Sequence, residues 1–170
     1  MGTIVQLTDG QAMRTFLLEL LEGEGAHPGF EEIVEDFPAF AVNRRPMNAP
    51  YTPWQLLEHI RIAQRDILDY VAHGPGYHHQ VWPRDYWPTS GAVATPAAMA
   101  GTIGRFLADR ATLHELVAAP SRDPFAVLAG TPGHTLAREI RLVADHNAYH
   151  LGEFSILRSV MGTWPADHLD

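Results

Sequence analysis

The sequence predicts an all-α protein, a four-helix bundle with long connecting loops. Four segments carry apolar residues at the three- and four-residue spacing of amphipathic helices, and none shows the alternating pattern of a half-buried strand. Capping residues and glycines mark the ends of these segments. A chain of 170 residues, 46% of them hydrophobic, can bury a sizeable core, so we expect one domain over residues 1–170.

The first helix is predicted from Gln11 to Glu22, with Asp9 as its cap and Gly23 at its end. A short acidic stretch over residues 28–38 predicts one or two helical turns packed against the bundle by four apolar side chains. The core stripe of the first helix contains five large apolar side chains, Met13, Phe16, Leu17, Leu20 and Leu21.

The second helix begins with the strongest boundary signal in the chain, Thr52-Pro53-Trp54-Gln55. Threonine caps the helix, proline takes its first position, and glutamine completes a capping box. The apolar face predicts a helix that ends near residue 72, before a Gly-Pro-Gly sequence. His59 lies at the edge of that face, where its side chain can reach the interior.

The third helix is predicted over Thr95–Ala118 and begins, like the second, with a Thr-Pro pair. Glycine within a helix costs about 1 kcal/mol relative to alanine. We therefore expect Gly101 and Gly104 to serve a purpose, namely a close crossing with a neighbouring helix.

The fourth helix starts near Thr131 or at Thr135 and ends at residue 161. His146 and His150, four residues apart, lie on its apolar face about one turn from each other. A buried pair of this kind is by itself more typical of a core than of a metal site. A metal would need a third ligand, for which His59 of the second helix is the natural candidate.

The connection between the second and third helices is about 20 residues long, which is unusual for a loop without a function. Trp82, Tyr86 and Trp87 alternate there with prolines and predict a stiff aromatic flap, whose rings are our candidates for contact with a cofactor or substrate. The alternative is that these rings only close one end of the bundle.

Composition excludes several classes of partner. The formal net charge is −8 with only 12 Lys and Arg, whereas nucleic acids and anionic membranes bind basic surfaces.

No apolar run is long enough for a membrane span, and the start does not read as a signal peptide, so we expect a cytoplasmic protein. The chain contains no cysteine, so any thiol chemistry requires an external thiol.

Glu153 follows His150 by three residues and His146 by seven, which places it on the same stripe, within reach of a bound metal or its water. It is our candidate catalytic residue, as a base acting on water or as an acceptor that orients an imidazole. A solvated surface glutamate is the alternative. Asn147 stands where H-E-x-x-H metalloproteases carry their glutamate, so peptide hydrolysis is unsupported.

Three stretches of the chain are informative when they are taken together. They are Trp54-Gln55-Leu56-Leu57-Glu58-His59-Ile60, Trp82-Pro83 with Tyr86-Trp87-Pro88, and Asp145-His146-Asn147-Ala148-Tyr149-His150-Leu151-Gly152. In this order, and over nearly the whole chain, they resemble the DinB-like (YfiT-like) family of metal-binding helical bundles. The resemblance implies a four-helix bundle, often dimeric, in which three histidines hold a divalent ion, here His59, His146 and His150.

Three neutral imidazoles leave such an ion an open position, and zinc, nickel and ferrous iron all accept this ligand set. Some family members resemble transferases that use a low-molecular-weight thiol such as bacillithiol or mycothiol. We therefore expect a homodimeric, metal-dependent transferase that activates such a thiol toward a small electrophile. A metal-dependent hydrolase and a non-catalytic, stress-related metal-binding protein are the alternatives. An extra carboxylate beside the metal would favour hydrolysis, and a roomy pocket with a positive rim would favour an anionic thiol.

Overall fold

The computed structural model describes residues 9–23 and 25–166. This part of the chain is helical, and the long helices confirm the expected all-α bundle with long connections. Single turns of 3-10 helix occur at Ala39–Ala41, Gly74–Gly76 and Arg84–Tyr86. The α-helices are α1 (Asp9–Glu22), α2 (Phe30–Val34), α3 (Pro53–His73), α4 (Pro96–Ala118) and α5 (Leu136–Met161).

Threonine side chains cap three of the long helices. The Thr52 hydroxyl accepts a hydrogen bond from the Gln55 backbone, and the Gln55 side chain accepts one from the Thr52 backbone, which completes the predicted capping box. Thr95 caps α4, and Thr135 caps α5. The helix α5 thus begins at the later of its two predicted starts. Asp9, which was predicted to cap the first helix, lies within α1.

The long helices pack so that α1 and α3 each contact both α4 and α5. One apolar cluster joins the N-terminal halves of α3 and α4 to the C-terminal half of α5, and a second joins the opposite halves of these helices to α1. Consequently α3 and α4 run parallel and α5 antiparallel to both. The connection after α3 must therefore return along the bundle, a distance of about 30 Å for a helix of this length.

The predicted core stripe of α1 is only partly correct. Leu17 and Leu21 are buried, whereas Met13 is 37% exposed and Phe16 is 52% exposed. The reason is that α1 contacts the bundle along one narrow face, toward α4 and α5. Among the described residues, none of the helices combines the length and apolar composition that a bilayer span requires.

The expected close crossing at the glycines of α4 is wrong. A Cβ atom built on Gly104 would have no neighbour within 4 Å, and one on Gly101 would contact only the side chain of Arg105. Gly104 is exposed and Gly101 is half-buried, so both lie away from the packed face of α4.

Candidate metal centre

A layer of polar side chains separates the two apolar clusters. Gln64 of α3 donates a hydrogen bond to the backbone carbonyl of Phe106 in α4, at 2.8 Å. Its carbonyl oxygen accepts a hydrogen bond from Asn147 of α5, at 3.0 Å. Because Gln64 and Asn147 are both buried, these bonds set the spacing of three helices next to His146.

The structure brings the three predicted histidines together, and we call His59, His146 and His150 the histidine cluster. Nε2 of His59 lies 3.1 Å from Nε2 of His150 and 3.3 Å from Nε2 of His146. Potential ligand atoms of all three lie within 4.8 Å of one another. His59 is 1% exposed, so the cluster is centred in the interior of the bundle.

Hydrogen bonds at Nδ1 determine which nitrogen carries the proton in two of these rings. Nδ1 of His59 lies 2.7 Å from the backbone carbonyl oxygen of Tyr86, which can only accept. Nδ1 of His150 lies 2.6 Å from Oε2 of Glu153. Both Nδ1 atoms therefore donate, and in a neutral imidazole this leaves only a lone pair at Nε2. Two lone pairs facing each other at 3.1 Å repel unless a cation lies between them.

Burial favours the neutral form of two histidines in the cluster, His146 and His59. It lowers the pKa of His146 to about 4, with a further contribution from the neighbouring His150 and His59. Burial also lowers the pKa of His59. Unprotonated imidazole is the form that binds metal ions.

The distances within the cluster fit a metal ion. A tetrahedral zinc ion with bonds of about 2.0–2.1 Å to nitrogen would place two nitrogen ligands about 3.4 Å apart. The two measured separations of 3.1 and 3.3 Å are close to that value. His59, His146 and His150 would thus supply three ligands and leave a fourth position open.

Glu153 lies on the outer side of His150. Its carboxylate accepts the Nδ1 hydrogen bond of His150 and a hydrogen bond from the hydroxyl of Tyr51. Burial raises the pKa of Tyr51, and the hydrogen bond to Glu153 raises it further. The carboxylate therefore contacts the ring nitrogen remote from the Nε2 atoms, which is the position of a group that orients an imidazole.

Residues 77–88, which we call the aromatic segment, lie against the histidine cluster and not at a remote end of the bundle. The ring of Trp87 stacks on the imidazole of His59, with centroids 3.9 Å apart and planes 1° from parallel. Tyr86 contributes its backbone carbonyl rather than its ring. Trp82 is more distant, with its ring centroid 6.4 Å from that of His59, and it is 67% exposed. Their roles in binding a cofactor stay a prediction.

Asp66 of α3 anchors the aromatic segment. The hydroxyl of Tyr77 donates to Oδ1 of Asp66 at 2.5 Å, and the hydroxyl of Tyr86 donates to Oδ2 at 2.6 Å. Burial and the hydrogen bond to Asp66 raise the pKa of Tyr77 to about 12. Asp66 was missed in the sequence, although it follows His59 by seven residues and therefore lies on the same helical face.

A pocket of about 740 Å³ opens at the loop before α3, and its described lining includes Trp87, the ring that stacks on His59, but none of the three histidines. The stacked rings of Tyr51 and Trp87, 5.2 Å apart and 17° from parallel, form part of its wall. Arg45 is the one formally charged residue among the described residues that line it. Tyr51 and Arg45 belong to the loop before α3, where no sequence pattern pointed to a site. We call this cavity the Arg45 pocket.

Comparison with protein-family models shows which family the chain matches. The model of the DinB superfamily matches residues 24–154. This range contains the histidine cluster, Glu153, the aromatic segment and the loop that carries Arg45. No curated protein and no solved structure shows a significant match to the chain.

Proposed function

Because the chain belongs to the DinB superfamily, and because its three histidines converge, we propose that it binds one divalent metal ion through His59, His146 and His150. One observation carries the proposal. The lone pairs of His59 Nε2 and His150 Nε2 face each other at 3.1 Å, an arrangement that a bound cation makes favourable. Zinc, nickel and ferrous iron are all suitable, since each accepts three imidazole nitrogens.

We further propose that the protein is a transferase that activates a low-molecular-weight thiol toward a small electrophile. A divalent ion held by three neutral ligands lowers the pKa of a bound thiol. The chain has no cysteine to compete for the open position. We also propose a cytoplasmic location, because low-molecular-weight thiols are kept reduced there. We propose in addition that the protein is a homodimer formed through α5.

The position of Glu153 favours this proposal over hydrolysis. A hydrolase of this type needs a base directed at the water in the open position. Instead, the Glu153 carboxylate is hydrogen-bonded to Nδ1 of His150 and to Tyr51, on the far side of the ring. Among the described residues, the group of candidate ligand atoms contains histidines and no carboxylate.

Metal content tests the first part of the proposal. We expect purified protein to contain about one divalent ion per chain by elemental analysis, and His146→Ala to contain much less, because two imidazoles hold an ion far more weakly than three. His114→Ala is a matched control, since that half-exposed histidine lies outside the cluster. Equally low metal content in the wild type and His146→Ala, with both proteins folded by circular dichroism, would contradict metal binding.

Turnover tests the second part. Metal-loaded protein is incubated with bacillithiol or mycothiol and monochlorobimane, beside His150→Ala. We expect conjugate formation above the uncatalysed rate in the wild type and not in the variant. Metal-dependent cleavage of a simple ester without thiol conjugation would favour a hydrolase. Absence of both reactions in metal-loaded protein would favour a non-catalytic binding protein.

A further inference from the structure

We propose that the Arg45 pocket is a binding site for a small planar organic anion, such as an aromatic carboxylate, because it combines rigid aromatic walls with one unpaired arginine. Its volume of about 740 Å³ lies within the range of small-molecule sites in proteins, about 300–1,000 Å³. The inference goes beyond the proposed metal chemistry, since binding here requires neither the ion nor turnover.

The two aromatic rings in the wall of the pocket, those of Tyr51 and Trp87, are nearly parallel, and contacts with residues outside the pocket lining hold both in place. Trp87 is stacked on His59, and Tyr51 is fixed by its hydrogen bond to Glu153. Rings that are already immobilised lose little conformational freedom when a ligand packs on them. Aromatic walls favour flat apolar ligands, and Pro50, Pro88 and Val93 extend this apolar lining.

The charge of the pocket comes from Arg45. This exposed side chain has no ion pair and no hydrogen bond within the described part of the chain, unlike Arg110, which pairs with Glu22 and Glu31. Its neighbour Arg44 donates to the backbone carbonyl of Met161. An unpaired guanidinium beside a pocket is a donor pair suited to a carboxylate, which it can bind in a bidentate manner.

Two polar side chains of the wall, those of Tyr51 and Gln55, are already engaged in hydrogen bonds. The Tyr51 hydroxyl bonds to Glu153, and the Gln55 side chain bonds to the backbone of Thr52 and of Ala92. Glu153 does not line the pocket, and its carboxylate is engaged by Tyr51 and His150. Arg45 is the charged group of the wall that can recognise an anion, and the aromatic rings recognise its planar shape.

Isothermal titration calorimetry with 2-naphthoate tests this site. We expect Arg45→Gln to weaken binding roughly fivefold, a modest factor because an exposed ion pair is screened by solvent. Arg44→Gln is the matched control, since it removes the same charge at the adjacent position outside the pocket lining, and its affinity should stay within about twofold of the wild type. The neutral 2-naphthamide and the non-planar cyclohexanecarboxylate should both bind more weakly than 2-naphthoate.

Three results would overturn the proposal: no binding of 2-naphthoate at millimolar concentration, equal affinity for 2-naphthamide, or equal losses in the two arginine variants. Tight binding of bacillithiol at this pocket, with 2-naphthoate unable to compete, would identify a thiol site and would also overturn it. Repeating the titration on His146→Ala separates the two proposals. Unchanged, Arg45-dependent binding by a protein without metal supports the anion site even if the metal proposal fails.

Discussion

Each histidine of the cluster has two ring nitrogens, and in His59 and His150 a hydrogen bond at Nδ1 fixes the state of Nε2. His59 donates from Nδ1 to a backbone carbonyl, and His150 donates from Nδ1 to the carboxylate of Glu153. A carbonyl fixes the ring orientation, whereas a carboxylate also makes the imidazole a stronger base and hence a better ligand. The two contacts at Nδ1 thus direct both Nε2 lone pairs to one point.

Glu153→Gln tests the role of this carboxylate. Glutamine keeps the size and one acceptor oxygen but removes the negative charge, so we expect zinc affinity to fall roughly tenfold. Competition with a chromophoric chelator measures the dissociation constant. Glu115→Gln, an exposed position on α4, should leave it unchanged. Equal zinc affinity in the wild type and Glu153→Gln would show that Glu153 does not act through His150.

Helical spacing in the sequence placed His146, His150 and Glu153 on one face of the last helix, because residues three, four and seven apart share a face. The choice of a metal site over a pair of core histidines required the family resemblance. Helical spacing could not find Tyr51 or Arg45. These residues reach the site from a loop, and the path of a loop depends on tertiary packing that no local pattern encodes.

Among the elements of the fold, the connection between α3 and α4 follows from helix direction. Because the two helices are parallel, the connection has to pass back along the bundle, and the aromatic segment is the part that crosses the histidine cluster. Asp66 binds Tyr86, the Tyr86 carbonyl binds His59, and Trp87 covers the same imidazole. The position of His59 is therefore linked to an anchor two turns further along α3.

Asp66→Asn tests this anchor. Asparagine removes the negative charge and one of the two acceptor oxygens, so the two charge-assisted hydrogen bonds from the tyrosine hydroxyls are weakened, at a cost of about 1 kcal/mol. We expect the aromatic segment to open about fivefold more often, measured as the rate of tryptic cleavage after Arg84, which is exposed. Asp69→Asn on the same helix is the control, because its partner is Arg65 and not the segment. Equal cleavage rates in the two variants would contradict the role of Asp66.

The extent of the long helices was predictable, since Thr-Pro starts, a capping box and terminal glycines are local signals. The burial of Arg158 was not. This side chain is 0% exposed in α5 and donates to the carbonyls of Ile33, Glu35 and Thr163, so it ties the segment around α2 and the end of the described chain to the bundle. Arginine is rarely buried, and only the three-dimensional arrangement shows the three carbonyl oxygens that accept hydrogen bonds from its guanidinium.

At the scale of the whole molecule, an exposed face of α5 and the net charge have opposite effects on self-association: the face favours a dimer and the charge opposes it. Tyr149, Ile156 and Val160 lie on one face of α5 and are each about two-thirds exposed, at 66%, 65% and 69%. Exposed Gly152 lies between them, with no neighbour within 4 Å of the position of a Cβ atom. Such a face suits a second copy of the same helix, whereas a formal charge of −8 on each chain opposes association.

The proposed homodimer can therefore be tested through both effects. We expect dimers by sedimentation equilibrium at about 100 µM, with tighter association at high salt, because salt screens the repulsion between two acidic chains. In a twofold interface Ile156→Glu places two new charges close together, so it should shift the protein to monomer. Met47→Glu makes the same charge change at a 90% exposed position and should have little effect. A monomeric wild type at both salt concentrations, or equal dissociation of the two variants, would contradict a dimer through α5.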